Sequence, residues 1–191
     1  MKTFRLLAGL TLAMALSACA SAPRLPADCI AIGPAGALCP LPPAQLPKVS
    51  AQHLVKITQP SGSQTFLGRL EVTPHALRLA GASLFGTHLF TVVWDGKNVT
   101  SEPPLPKMHP RLMVAMLETA LADPAALRAQ LHGMTLTVAH TGDTQTRTLT
   151  ERGRVVARIT QHGGELARAR LTMAIPPAHL TLQLTPLGAT R

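Results

Sequence analysis

Leu180-Thr181-Leu182-Gln183-Leu184-Thr185 alternates leucine with a polar residue over six positions. Side chains of an extended chain point to opposite faces in turn. This stretch therefore has one apolar and one wet face and reads as a half-buried β-strand. The same period recurs upstream. Phe66, Gly68, Leu70 and Val72 alternate with Leu67, Arg69 and Glu71, and Leu77 and Leu79 flank Arg78. Met134, Leu136 and Val138 alternate with threonine, and Ala167, Ala169, Leu171 and Met173 alternate with Leu166, Arg168 and Arg170. Residues 53–58 make a further short strand, and residues 89–94 are apolar on both faces, as in a covered strand. Asp95-Gly96 marks a hairpin with its return strand over residues 97–100. Glu151-Arg152-Gly153 joins residues 147–150 to 154–160, and Gly163-Gly164 is another turn. About nine to eleven short strands with hairpin-length connections make a mostly antiparallel sheet.

The middle of the chain follows a different period. Glu102-Pro103-Pro104-Leu105-Pro106 interrupts any ladder. Pro110 suits the first position of a helix. Leu112, Met116 and Ala120 follow at four-residue steps, as do Met113, Leu117 and Leu121, giving one broad apolar face. Asp123-Pro124 caps and opens a shorter helix that ends by Gly133. A sheet this large curls or closes, and its concave side is where the helices can bury their apolar face. The expected fold is mostly β with a minor α part: a curved antiparallel sheet forming a half-open barrel, with the mid-chain helix pair as a lid.

The N-terminal region carries Lys2 and Arg5, then an uncharged apolar run over residues 6–16 that is too short to span a bilayer. Leu16-Ser17-Ala18-Cys19 resembles the lipobox of bacterial lipoproteins. The resemblance implies that residues 1–18 are a removed signal peptide and that Cys19 becomes the lipidated first residue. Each buried methylene contributes about 0.8 kcal/mol, so two or three chains hold the protein permanently at the membrane. In the Lol sorting pathway an Asp after the lipidated Cys retains a lipoprotein in the inner membrane. Here the position is Ala20, which implies the periplasmic face of the outer membrane.

Residues 19–50 are rich in proline (Pro23, Pro26, Pro34, Pro40, Pro42, Pro43, Pro47) and read as a stiff tether to a domain over residues 51–191. Cys29 and Cys39 lie within it. In an oxidising envelope a disulfide is the default, contributing roughly 3 kcal/mol at most. A metal site is the alternative, although the spacing fits no zinc pattern and no histidine is near in sequence.

The formal charge of +9 falls to +7 once Lys2 and Arg5 are removed with the signal. A basic envelope protein faces anionic lipid rather than nucleic acid. The chain has no Tyr, and beyond the signal only Phe66, Phe85, Phe90 and Trp94 are aromatic, too few for base-stacking platforms. It contains no Gly-x-Ser-x-Gly elbow, no His-Glu-x-x-His and no phosphate-binding glycine loop, and its eight histidines are scattered singly. No catalytic residue, metal ligand or cofactor is expected.

Lipobox, Pro-rich segment, antiparallel strands and a mid-chain helix pair together resemble the LolA/LolB type of envelope protein. In that type a half-open β-barrel lidded by helices holds acyl chains. More specifically, the order is similar to an uncharacterised family of LolB-like lipoproteins found near aryl-polyene and fatty-acid-like biosynthesis genes. The likeness covers about residues 52–187. It rests on Gly86-Thr87-His88-Leu89-Phe90, Trp94-Asp95-Gly96, Pro103-Pro104-Leu105-Pro106 and the strand pair over residues 147–159. It implies a protein that binds or passes on a lipid or acylated molecule in an apolar cavity, with a periplasmic carrier protein as a candidate partner. The alternative is an accessory lipoprotein that docks a partner protein without a ligand. Leu112, Met113, Met116 and Leu117 are expected on the cavity wall, since thioethers adapt to irregular apolar ligands. They would be joined there by either Phe90 and Trp94 or Leu89 and Val93, depending on register. Arg154 with Arg158, and Arg168 with Arg170, form either a headgroup-facing basic surface or a merely solvated one. A dry pocket on the order of several hundred Å³ fits the carrier and a collapsed core fits the scaffold.

Overall fold

The period-two segments assemble into one antiparallel sheet of ten strands in a computed structural model that describes residues 28–104 and 109–188. Cys19 and the signal segment lie outside the described residues. The first meander comprises β3 (Val49–Gln59), β4 (Gly62–Val72), β5 (Leu77–Ala82), β6 (His88–Trp94) and β7 (Val99–Glu102). The second comprises β9 (Thr135–Thr141), β10 (Thr144–Glu151), β11 (Arg154–His162), β12 (Arg170–Ile175) and β13 (Leu180–Pro186). The two fuse where β13 pairs with β3, from Thr181↔Thr58 to Pro186↔His53. The order across the sheet is β7-β6-β5-β4-β3-β13-β12-β11-β10-β9, and the outermost strands do not pair with each other, so the barrel stays half open. Two helices, α1 (Pro110–Leu121) and α2 (Pro124–Ala129), connect β7 at one edge to β9 at the other.

Local chemistry accounts for the element ends. Asp95 Oδ1 accepts from the Lys97 and Asn98 amides at 2.7 Å each, which shapes the β6–β7 turn. Arg152 and Gly153 both have positive φ, as a two-residue hairpin with right-handed strand twist requires. Pro110 occupies the start of α1, and Asp123 Oδ1 caps α2 by accepting from Ala125 N at 2.9 Å and Ala126 N at 3.1 Å. The inward face carries Val55 and Ile57 of β3, Phe66 and Leu70 of β4, Phe90 and Val92 of β6, and Leu171 and Met173 of β12. Residues 113–121 of α1 are all buried.

Two expectations are corrected. Residues 28–48 are not a tether. Ile30, Ile32, Leu38, Leu41 and Leu46 are core residues, and Leu38 and Leu41 are essentially inaccessible. The segment forms β1 (Ile30–Ala31), β2 (Ala37–Leu38) and a 3-10 turn at Pro43–Gln45, and β2 pairs with β8 (Leu131–His132). Proline prevents helix and interior strand, but it does not prevent burial when side chains satisfy the backbone. Here they do. Trp94 Nε1 donates to Leu41 O at 2.9 Å, Leu41 N donates to Glu118 Oε2 at 3.2 Å, and Ala35 N donates to Glu151. The segment is a strap over the domain. Secondly, the strand expected from Leu166 begins only at Arg170. Residues 165–168 form a turn, with Arg168 N donating to Glu165 O at 2.9 Å, because Gly163, at positive φ, turns the chain off the ladder and Gln161 Nε2 holds the bend by donating to Gly164 O at 2.6 Å. Arg168 therefore shares no strand face with Arg170, and Arg154, Arg158, Arg168 and Arg170 are all exposed.

Candidate functional site

Beneath the first turns of α1 lies a cavity of about 60 Å³. The helix contributes Leu112, Met113, Met116 and Leu117, which its 3.6-residue period places on one side. The sheet contributes Val55 and Ile57 of β3, Phe66 of β4, Leu79 of β5, Met173 and Ile175 of β12, and Leu180, Leu182 and Leu184 around β13. All these lining side chains are apolar, and three are thioethers. Leu180, Leu182 and Leu184 are only half-buried, so the cavity is a slot with one partly open side.

Four of the six expected cavity residues are thus on its wall, and Phe90 and Trp94 are not. Both face inward, as the first of the two registers required, but they serve the core. Phe90 covers Gly81 on the neighbouring strand and meets Phe66 edge-on at 5.5 Å between ring centres. Trp94 binds the strap through Leu41 O. The physical reason is lateral position: β6 lies three strands from β3, while the slot sits over the centre of the sheet. Leu89, on the opposite face, is exposed.

Opposite the slot, α1 is pinned. Glu118 has no measurable exposure, its Oε2 takes the Leu41 amide, and its Oε1 has no partner. Burial pushes its carboxyl up to about 8, so it is protonated at neutral pH, and the Leu41 amide only partly opposes this. At the end of α1, Arg147 of β10 donates through Nη1 to Thr119 O at 3.1 Å and Ala122 O at 2.6 Å, and through Nε to Gln145 Oε1 at 2.8 Å. The C-terminal carbonyls of a helix carry partial negative charge, which suits a guanidinium. His53, on β3, donates from Nε2 to Ala169 O at 3.3 Å. The carbonyl fixes Nε2 as the donor, and burial lowers the imidazole pKa and keeps it neutral.

Cys29 and Cys39 form the expected disulfide, which closes the strap's loop. The fold also brings His132 beside them, through the pairing of Ala37 with His132 across β2 and β8, a proximity that chain distance concealed. With the thiols joined, this group offers no thiolate to a metal.

One apolar feature points away from the core. The β5–β6 connection holds Phe85 97% exposed and Leu84 57% exposed. The loop is ordered by Ser83, whose amide donates to Thr87 O at 2.8 Å and whose hydroxyl accepts from the Phe85 and Thr87 amides. Gly86 supplies the positive φ that the turn needs.

Fold and slot define a class: an open antiparallel half-barrel whose concave face is covered by a helix and a strap. The family follows from the sequence. Residues 50–188 match the family described as "Protein of unknown function (DUF3261)", and the chain belongs to that family. A comparison with curated proteins found no match.

Proposed function

We propose that the protein is a lipid-handling lipoprotein, anchored through Cys19 to the periplasmic face of the outer membrane, that takes the acyl chain of a lipid or acylated molecule into the slot beneath α1. The supporting observation is the wall of that slot, which offers only carbon and sulfur to whatever enters. Cavities of that kind stay dry and accept apolar guests. Ligand pockets measure about 300–1,000 Å³, so a slot of about 60 Å³ opens only if the Met-bearing turns of α1 move outward. Met113, Met116 and Met173 can repack as it does so, because unbranched thioethers adopt many shapes at little cost. The ordered apolar tip at Phe85 adds a second element able to meet acyl chains.

The small volume also favours a second reading, in which the sheet docks a partner protein and holds no ligand. Native mass spectrometry of the mature protein purified from its own envelope separates the two. The carrier reading expects a co-purified lipid, lost in Met116→Trp at an unchanged melting temperature. A bare wild-type protein that also takes up no fluorescent fatty acid leaves the docking reading in place.

A further inference from the structure

Slot, void and groove share their walls in series. Beside the slot lies a smaller void of about 20 Å³ that shares Val55, Leu79, Leu117, Met173 and Leu184 with it. That void in turn shares Ala120 and Leu166 with an open groove of about 520 Å³ at the C-terminal end of α1. Polarity changes along this path. The slot is wholly apolar, the void adds the neutral His53, and the groove is lined by Lys48, Gln145, Arg147, Gln161 and Glu165 among others. Apolar voids in series, ending at a groove with one fixed guanidinium and one exposed ammonium, match an amphiphile end for end.

We infer that the groove is the head-group site of an anionic amphiphile, whose carboxylate or phosphate meets Arg147 and Lys48 while its chain runs under α1. The inference rests on the slot reading above and names its substrate class. Arg147 is 8% exposed, and its bonds go to neutral acceptors through Nε and Nη1. Among the described residues Nη2 makes no hydrogen bond, and it is the nitrogen left for a ligand. A guanidinium held by the helix end is a preorganised donor, and one that meets a carboxylate or phosphate in a half-buried setting binds more strongly than a free surface cation. Lys48 is exposed and adds a second positive charge from the strap. Glu165, also exposed, opposes them, so the lining carries one net positive charge, and Asp123, outside the lining, acts on Arg147 as a further negative charge.

The test titrates the mature protein with three probes of one chain length: oleate, methyl oleate and an oleoyl lysophospholipid with a phosphoglycerol head. At least one charged probe is expected to bind about tenfold tighter than the ester, and the tighter of the two identifies carboxylate or phosphate as the head. Arg147→Gln should abolish that preference. Arg147 also ties the end of α1, so two exposed positions keep the test readable if that variant does not fold: Lys48→Gln should weaken the preference about threefold, and Glu165→Gln should strengthen it. Equal affinity for all three probes, or an unchanged preference in both surface variants, overturns the head-group site and leaves the slot reading standing. Failure of every probe to bind overturns the slot reading and this inference with it.

Discussion

The strap and the first turns of α1 both lie over the concave face, and they are held to different degrees by directed bonds. The strap is closed on itself by the Cys29–Cys39 disulfide and fixed to the domain by hydrogen bonds at short intervals: Ala35 to Glu151, Cys39 N to Gln130 O, and Leu41 clamped on both its amide and its carbonyl. The Met-bearing turns of α1 face the slot with Leu112, Met113, Met116 and Leu117, and the side-chain bond that ties these turns to the strap is a single exposed one, from Arg111 Nη2 to Asp28 O at 2.7 Å. Hydrogen bonds have direction and break when partners shift, whereas dispersion contacts among flexible side chains can be remade. The Pro-rich segment that resembles a linker is therefore the rigid cover, and the regular helix carries the adaptable one. Glu118 and Arg147 hold the far end of α1, which makes that end the pivot of any outward movement.

Three measurements break or sharpen this contrast. The largest effect is expected at the strap. Leu41→Ala should cost about 2–5 kcal/mol in urea denaturation, the range for deleting a fully buried leucine. A stability equal to wild type would return residues 28–48 to the role of a tether.

Next comes the clamp between strap and helix. Burial raises the Glu118 carboxyl from 4.5 to about 8, so the folded state keeps a proton that the unfolded state gives up. The native chain thus binds more protons than the unfolded one between those values. The stability that Glu118 contributes is fully present below pH 4.5, declines as pH rises towards 8, and levels off above, whereas buried His53 acts in the opposite sense, losing stability as pH falls. Glu118→Gln mimics the protonated form and should flatten that decline. At pH 8.5 it should be the more stable protein by on the order of 2 kcal/mol, part of the linkage gain being offset by the new amide's unmatched N–H groups. Wild-type denaturation midpoints that do not change between pH 5 and 8.5 would rule out a buried protonated clamp.

The smallest stability effect belongs to the slot. Met113→Leu and Met116→Leu conserve volume and should each change stability by less than about 1.5 kcal/mol. The double variant should nevertheless slow fatty-acid uptake in stopped-flow fluorescence, because branched side chains repack less freely. Uptake at the wild-type rate would remove the thioethers from the mechanism.

The legible part of this molecule is the part governed by neighbours along the chain. The alternation in residues 66–72 and 180–185 marked strands, Asp95-Gly96 and Arg152-Gly153 marked hairpins, and Pro110 and Asp123 marked helix starts. The helical half of the slot was legible for the same reason, since a period of 3.6 puts Leu112, Met113, Met116 and Leu117 on one side. The sheet half was not. Alternation tells which face of a strand is apolar but not which strands meet beneath the helix, and the pairing of β3 with β13 leaves no local trace. Val55, Ile57, Met173 and the β13 leucines therefore carry no local sign of their place, and sequence reasoning puts Phe90 and Trp94, or in the other register Leu89 and Val93, there instead. The strap passes for a linker in sequence because Ile30, Ile32, Leu38, Leu41 and Leu46 follow neither period. Their burial depends on Trp94, Glu118 and Glu151, all remote in sequence.

The junction of β3 and β13 also sets an order of assembly. Thr58 and Thr181 are partners although they stand 123 positions apart in the chain, whereas every other ladder of the ten-stranded sheet joins consecutive strands. Each meander can zip outward from its own turns, paying little loop-closure entropy, while the junction must wait until two independently formed halves collide. Until then β3 and β13 are long strands with one open edge each, the condition under which chains associate wrongly. The slot takes its walls from both sides of that junction, from Val55 and Ile57 on one and from Leu182 and Leu184 on the other. The cavity therefore cannot exist until the ladder of greatest sequence separation in the sheet has closed, whatever strands, turns and helices have formed before it.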